Sequence, residues 1–265
     1  MAMQVLVINL DTQTERLDYQ RHQLQQLGLD FVRIPAVTVQ QAQNDELPSA
    51  YWQTWQRPLT FQERACFLSH KKAWEHVCQT QKPALVLEDD AVLSPHLKEL
   101  LVEVVKLDGV EHISLEYRGR QKMISNDSQA LIKQFNLHRL FVDRTGAAAY
   151  ILWPNGAKKL LSSASKVCAL ADAMICQSHD LRSYQIVPAL SIQLDMLDQC
   201  GGLSPAYAKS AIGTSPGRSL ARTRMQRLRR VLAQLHMGWR QLKYFGNAKR
   251  THIPIDINLT TRDKA

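Results

Sequence analysis

Apolar and polar positions follow two spacings along the first two hundred residues. Short uninterrupted apolar runs, such as QVLVINL over residues 4–10, are typical of strands that are buried on both faces. A polar segment follows in which Leu17, Leu24 and Leu27 recur near helical spacing, and Gly28 stands where a helix would end. This alternation predicts an α/β fold with a mostly parallel central sheet and flanking helices.

The same criteria predict further elements. Thr60 can cap a helix over RACFLSHKKAWEHVCQ, because Glu63 completes a capping box. Its inward positions are predicted to be Ala65, Leu68, Ala73, Trp74 and Val77. Predicted strands are DFVRIPAV, the run 84–87, HISLEY, AAAYILW and a last strand SYQIVPALSIQ, while NGAKKLLSS opens another helix. The polar stretch 38–58 is predicted to be a loop.

Charge divides the chain into two parts. The 265 residues carry a formal charge of +9. Residues 1–198 hold 20 Lys and Arg against 22 Asp and Glu, whereas residues 199–265 hold 13 against 2. We therefore expect a main domain over residues 1–200, followed by a linker and a basic tail over residues 201–265.

The cysteines and the hydropathy of the chain indicate in which cellular compartment the protein is expected. The five cysteines form an odd set without a C-x-x-C pair, so we expect them to be reduced and the protein to be cytoplasmic. The first residues lack the pattern of a signal peptide, and no segment has the length and apolar content of a membrane span. We expect the chain neither to enter nor to cross a membrane by these routes.

The basic tail predicts an amphipathic helix. Arginines cover much of the segment, and apolar residues recur at steps of four and three: Ala221, Met225, Leu228, Leu232, Leu235, Trp239 and Leu242. Such a helix can lie peripherally on an anionic membrane surface. Alternatively, it packs on the main domain or pairs with a second copy in a homodimer.

Three consecutive acids, Glu88, Asp89 and Asp90, follow the strand at 84–87. In open α/β sheets, ligands bind beyond the carboxyl ends of the strands. Adjacent carboxylates repel one another unless a cation or a set of donors neutralises them, and Mg²⁺ or Mn²⁺ shares such carboxylates with phosphate oxygens. The acids therefore indicate a diphosphate-binding metal site, or else a solvated loop.

Four segments in order, ERACFLSHKKAWEHV, LVLEDDAVL, DRTGAAAYILWPNGAKKLL and VPALSIQ, resemble the lipooligosaccharide galactosyltransferase family, glycosyltransferase family 25. The resemblance covers residues 4 to about 195, and its acidic motif here reads E-D-D. It implies a GT-A fold, a UDP-sugar donor, usually UDP-galactose, a lipooligosaccharide or related glycan acceptor, a divalent metal (Mn²⁺ or Mg²⁺) and inversion at the anomeric carbon.

The resemblance assigns roles to the acids and their neighbours. Asp90 is the expected metal ligand, and Glu88 is a second ligand or, with Asp89, binds ribose hydroxyls or the metal's waters. Asn9 and Leu10 match the strand end where the nucleotide lies, although Asn9 suits a turn equally well.

Two further matches lie on the predicted helices. Arg16 matches an arginine that can pair with a pyrophosphate, against the alternative of a surface arginine. Ser69 and His70 match the family's Ser-His, and His70 either donates to a phosphate or is a satisfied helix histidine.

Inversion needs a general base to take the proton of the acceptor hydroxyl. The family pattern offers Asp172, which we prefer because its neighbours are apolar and burial raises a carboxylate pKa, and Glu116 at a strand end. The alternative for Asp172 is a helix cap or an arginine partner. Gly146 fits a close approach of the backbone to the sugar, or simply a turn.

Two other classes of function remain open. A binding or adhesion module would keep the fold without catalysis, but it would have no need of the repelling acids. A nucleic-acid-binding protein would use the basic tail, yet few aromatics interleave its arginines and the main body is net acidic. We therefore expect no nucleic-acid partner.

Overall fold

The computed structural model of the chain describes residues 3–143, 145–202, 204–205 and 223–256. It shows the predicted mixed α/β class, with a large sheet and flanking helices. The strands are β1 Gln4–Asn9, β2 Val32–Pro35, β3 Ala84–Glu88, β4 Ala91–Leu93, β5 His112–Ser114, β6 Lys122–Ala130, β7 Asn136–Val142, β8 Ala149–Leu152, β9 Ser183–Val187, β10 Ser191–Gln193 and β11 Ala248–Thr251. The α-helices are α1 Thr14–Gln26, α2 Val39–Gln43, α3 Phe61–Thr80, α4 Leu97–Val104, α5 Pro154–Ala164, α6 Ala171–Gln177 and α7 Arg224–Lys243.

Strand directions correct the expectation of a mostly parallel sheet. Among the described residues, nine strands form the central sheet in the order β11-β6-β7-β9-β5-β8-β3-β1-β2, and β4 pairs with β10 in a separate small sheet. In the described part of the central sheet, β1 runs parallel to β2 and β3, and β5 to β9; the other five pairings are antiparallel. The antiparallel β6 was missed because its second half is polar and exposed, which leaves little hydrophobic signal.

The apolar run of β1 is continuous because both of its faces are buried. Leu6 and Ile8 pack into a core with α3, α5 and α6, whereas Val5 and Val7 pack into a second core with α1 and α4. Helix α3 begins as predicted, with the capping box between Thr60 and Glu63. Its predicted inward positions Ala65, Ala73, Trp74 and Val77 are buried, and Leu68 is partly buried against the core.

Two segments differ from the sequence expectation. The predicted loop 38–58 contains α2, which a capping box between Thr38 and Gln41 begins, and a short 3₁₀ turn at Tyr51–Gln53. Trp52 and Trp55 in this stretch are core residues, so tertiary burial orders a segment that has no periodic pattern. The predicted last strand is two strands, β9 and β10, which belong to different sheets.

The C-terminal residues that the structure describes pack on the same sheet. Helix α7 is confirmed from Arg224, whereas Ala221, Arg222 and most of the predicted linker lie outside the described residues. The strand β11 that follows α7 pairs with β6. The boundary at residue 200 stays a prediction. Within the described residues, no helix combines the length and apolar character needed to cross a bilayer, and all five cysteines are free.

Candidate functional site

The three acids lie where β1 and β3 end side by side. These strands are parallel neighbours, so Asn9 and Glu88 reach the same edge of the sheet, and the chain then turns at Asp89 and Asp90. One cleft opens from this edge toward α3, and a second cleft opens toward α6 and the segment after β10. Cys66, Glu88 and Asp90 line both clefts, so the acids stand between two open spaces.

Asp89 is anchored to the first strand and helix. Asn9 donates from Nδ2 to Asp89 Oδ2 over 2.8 Å, and Arg16 donates from Nη1 to Asp89 Oδ1 over 3.1 Å. Burial raises the pKa of Asp89, and the charge of Arg16 offsets only part of that effect. Asn9 and Arg16 therefore hold the acidic turn in place while also lining the first cleft beside Leu10. Their nucleotide contacts stay predictions.

Glu88 is oriented from the opposite side by a buried chain of hydrogen bonds. His70 Nε2 lies 2.9 Å from Glu88 Oε1, and His70 Nδ1 lies 3.0 Å from the hydroxyl of Tyr150. Trp74 donates from Nε1 to the same hydroxyl over 2.8 Å. Both ring nitrogens of His70 thus have protein partners, so a phosphate contact would have to replace one of them.

Asp90 is a buried carboxylate whose charge is poorly compensated. Its residue is 4% exposed, and its Oδ1 has no hydrogen-bond partner among the described residues. Burial, then the charges of Glu88 and Asp89, raises the pKa of Asp90 well above its ordinary range, while Arg16 Nη1 is 4.0 Å from Oδ2. A buried oxygen without a partner beside a second carboxylate suits a hard divalent cation. Asp90 and Glu88 would hold it.

A different set of potential ligands lies nearby. Ligand atoms of Cys66, His70 and Glu88 lie within 4.8 Å of one another. Burial raises the pKa of the Cys66 thiol well above its ordinary value, which favours the protonated form, and both nitrogens of His70 are already bonded. The oxygen pair of Glu88 and Asp90 is therefore the better match for Mn²⁺ or Mg²⁺.

The two candidate bases occupy different surroundings. Asp172, in the first turn of α6, is half-buried and lines the second cleft, and burial raises its pKa. Its Oδ1 also accepts from the backbone N–H of Ala173 over 2.7 Å, so a local helix-end contact is present as well. Glu116 is 1% exposed and accepts from the N–H of Ala148 over 2.9 Å, which places it beneath the cleft wall. The geometry favours Asp172 as the group that an acceptor can reach.

Gly146 and Ser69 are fixed by protein contacts. Gly146 has φ of +107°, and a Cβ there would lie 2.9 Å from Oε2 of Glu116, so its close approach is to this carboxylate. It also lines the second cleft, and the predicted contact with a sugar stays a prediction. Ser69 Oγ donates to the carbonyl of Ala65 and accepts from the N–H of Val37, which fixes the chain after β2 at the first cleft.

The chain resembles known proteins over the part that contains most of both clefts. The sequence profile of glycosyltransferase family 25 (LPS biosynthesis protein) matches residues 2–175, which include most of both clefts. The chain belongs to glycosyltransferase family 25. The resemblance inferred from the sequence is thereby confirmed, and the mixed sheet with flanking helices is consistent with a GT-A-like fold.

Several animal proteins are similar over the same part of the chain. A glycosyltransferase 25 family member of Aedes aegypti is 32% identical over 176 residues, which are 59% of this chain and 27% of that protein. Procollagen galactosyltransferase 1-A of Xenopus laevis is 28% identical over 177 residues, 60% of this chain and 28% of that protein. Procollagen galactosyltransferase 2 of Homo sapiens is 27% identical over 174 residues, which are 60% of this chain and 27% of that protein. The chain thus spans about a quarter of the length of these relatives.

The sequence analysis missed several residues that hold the candidate site in place. Gln20 and Gln23 are buried on α1, and both donate from Nε2 to the carbonyl of Ala91 over 2.7 Å, which ties α1 to the chain after the acids. The sequence predicted Trp74 only as an inward helix position and Tyr150 only as part of the strand AAAYILW. Hydrophobic periodicity does not mark such groups, because their role depends on partners about 70 to 80 residues away in sequence.

Proposed function

We propose that this chain is a metal-dependent galactosyltransferase that moves galactose from UDP-galactose, with inversion, onto a lipooligosaccharide or related glycan. Family membership supports sugar transfer, and two of the relatives carry galactosyltransferase in their names. The family description, which names LPS biosynthesis, supports the choice of acceptor. We do not assign procollagen, which appears in the names of the animal proteins, as the acceptor of this chain, because the chain matches only about a quarter of their length.

The observation that carries the proposal is the position of Asp90. Its buried Oδ1 lacks a partner among the described residues, and the residue borders both clefts together with Glu88. A two-substrate transfer needs this geometry, with donor and acceptor in adjoining spaces that share one wall. When bound, Mn²⁺ or Mg²⁺ supplies positive charge for the diphosphate that leaves. Asp90 and Glu88 would hold the ion, with UDP in the first cleft and the acceptor in the second.

Bond changes are assigned to the second cleft. The acceptor oxygen forms its bond to the anomeric carbon while the bond from that carbon to the diphosphate oxygen breaks, and the electron pair stays on UDP. The hydroxyl proton passes to a carboxylate oxygen of Asp172, whose raised pKa suits a general base. Attack from the face opposite the leaving group inverts the carbon.

Calorimetry and turnover of the Asp90→Asn variant test the proposal. The native chain is expected to bind UDP more tightly with Mn²⁺ than without, and Asp90→Asn is expected to lose this difference and to lower galactose transfer about 100-fold or more. Asp108→Asn, which changes an exposed acid that lines neither cleft, is the matched control and should behave as the native chain. Equal UDP affinity with and without Mn²⁺, or near-native transfer by Asp90→Asn, contradicts the metal role. UDP-galactose binding without turnover by the native chain would instead support a binding module.

A further inference from the structure

Helix α7 carries a row of large apolar side chains that the rest of the described structure leaves exposed. The row is defined by six residues at alternating steps of three and four, Met225, Leu228, Leu232, Leu235, Trp239 and Leu242. Each is between 51% and 69% exposed, and Phe245 just beyond the helix is 85% exposed. Side chains at this spacing share one face of a helix, so they form a continuous apolar seam, here called the α7 seam.

The opposite face of α7 holds the helix on the protein. Gln226 is buried there, and Arg240 donates from Nε to the carbonyl of Phe141 on β7 over 2.6 Å. Tyr244, at the end of the helix, stacks on Phe141 with 3.9 Å between ring centroids. Arg229 donates to the carbonyl of Gln53. Because these anchors lie on the other side of the helix, the α7 seam points away from the sheet.

Charge around the α7 seam has a single sign. Residues 223–255 contain eight lysines and arginines and no aspartate or glutamate. Arg224 and Arg227 are exposed along one margin of the seam, and Lys243 is exposed near the other. An apolar face bordered by cations is complementary to a bilayer whose headgroups are anionic, because the side chains enter the acyl boundary while the cations contact phosphates.

The same charges disfavour other occupants. A second copy of α7 would bring arginines opposite arginines without an acid at the flanking positions, whereas paired helices use opposite charges there. Residues 206–222 of this chain contain Lys209, Arg218 and Arg222 and no acid, so this segment would not neutralise the helix either.

We propose that α7 is a docking helix for an anionic lipid bilayer, lying in the plane of the interface with the α7 seam inserted. Trp239 and Phe245 suit the boundary between headgroups and acyl chains, where aromatic side chains concentrate. Arg240 holds the helix on β7 and Arg229 holds it on the 3₁₀ turn at Gln53, so binding would bring the whole protein to the membrane surface. This inference stands on the seam and its charges, independently of the proposed reaction.

Co-sedimentation of the full chain with lipid vesicles tests whether α7 docks on an anionic bilayer. The native chain is expected to bind vesicles of phosphatidylcholine and phosphatidylglycerol, to bind pure phosphatidylcholine weakly, and to be released as ionic strength rises from about 0.1 M to about 1 M. The double variant Leu232→Gln/Leu235→Gln should weaken binding to anionic vesicles about tenfold or more. Arg224→Gln/Arg227→Gln should weaken it about tenfold and reduce its salt dependence.

Controls separate docking from misfolding. Val102→Gln/Val167→Gln replaces two exposed apolar residues outside α7 and should bind as the native chain does. Thermal unfolding midpoints of all variants establish that the fold is kept. Unchanged binding by the leucine variant, or equal binding of the native chain to both vesicle types, overturns the proposal. A native dimer in sedimentation velocity that the leucine variant abolishes, without vesicle binding, would assign the α7 seam to a second copy instead.

Discussion

His70 Nε2 lies 2.9 Å from Glu88 Oε1, and the hydroxyl of Tyr150 holds the other ring nitrogen of the same histidine. The direction of Glu88 at the clefts therefore depends on a tyrosine that lines neither of them. Removing this hydroxyl in Tyr150→Phe should free the imidazole to rotate and weaken the hold on Glu88. We expect galactose transfer to fall by about tenfold, with a matching rise in the Mn²⁺ concentration for half-maximal rate.

The metal titration distinguishes positioning from a general loss of stability. Tyr184→Phe on β9, outside both clefts, is the control for the loss of a phenol oxygen and should leave the Mn²⁺ dependence unchanged. If Tyr150→Phe lowers the unfolding midpoint but keeps the native Mn²⁺ dependence, the hydroxyl contributes to packing alone and does not position Glu88.

Gly146 should be intolerant of a side chain for two separate reasons. Its φ of +107° strains any L residue, and an added Cβ would lie 2.9 Å from Oε2 of Glu116. Gly246 has φ of +95° but no atom within 4 Å of its Cβ position, so Gly246→Ala reports the strain alone. In urea unfolding we expect Gly246→Ala to cost about 1 kcal/mol and Gly146→Ala about 2 to 3 kcal/mol. Equal losses of unfolding free energy in the two variants would show that Glu116 can move away from the added Cβ without destabilising the fold.

Glu116 should make the fold less stable as pH rises. Burial, then the charge of Glu88, raises the pKa of Glu116 from its ordinary value of 4.5 to about 8. Between these values the folded chain binds more protons at this site than the unfolded chain does, so the free energy of unfolding falls as pH rises through this window. Glu116→Gln removes this site's contribution to the fall. The free energy of unfolding of Glu116→Gln, relative to that of the native chain, should therefore increase with pH by at most about 1.4 kcal/mol for each pH unit.

Urea unfolding at several pH values between about 4.5 and 8 measures this difference. The exposed Glu46→Gln is the control and should follow the native profile. Parallel profiles for Glu116→Gln and the native chain would mean that Glu116 ionises in the folded protein much as it does in the unfolded one.

Local signals predicted the elements that carry the site. The apolar runs of β1 and β3 and the capping box at Thr60 are confirmed, because burial on both faces and helix capping both leave marks in a few consecutive residues. The acidic triplet is at the end of β3, where the sheet edge was expected to present it. The family resemblance then chose among chemistries that the acids alone left open.

Long-range pairing was not predictable in the same way. Strand β8 lies antiparallel between β3 and β5, and nothing in AAAYILW specifies its direction. Likewise, the contact of Gln20 with the carbonyl of Ala91 joins residues 71 positions apart. These features are set by which surfaces meet in the folded chain, so a single sequence read locally carries little information about them.

Substitutions of Asp172 and of Glu116 should have different effects on the rate of the chemical step. Asp172 reaches the second cleft, whereas Glu116 is enclosed behind Gly146, so only Asp172→Asn should remove the base. We expect Asp172→Asn to lower kcat about 100-fold or more at saturating donor and metal. Burial raises the pKa of Asp172, so native kcat should rise with pH as this carboxyl ionises, and the variant should lose that rise. Since Glu116→Gln keeps the shape of the wall, its kcat should stay within about threefold of native. A large loss in Glu116→Gln with near-native Asp172→Asn would move the base to Glu116.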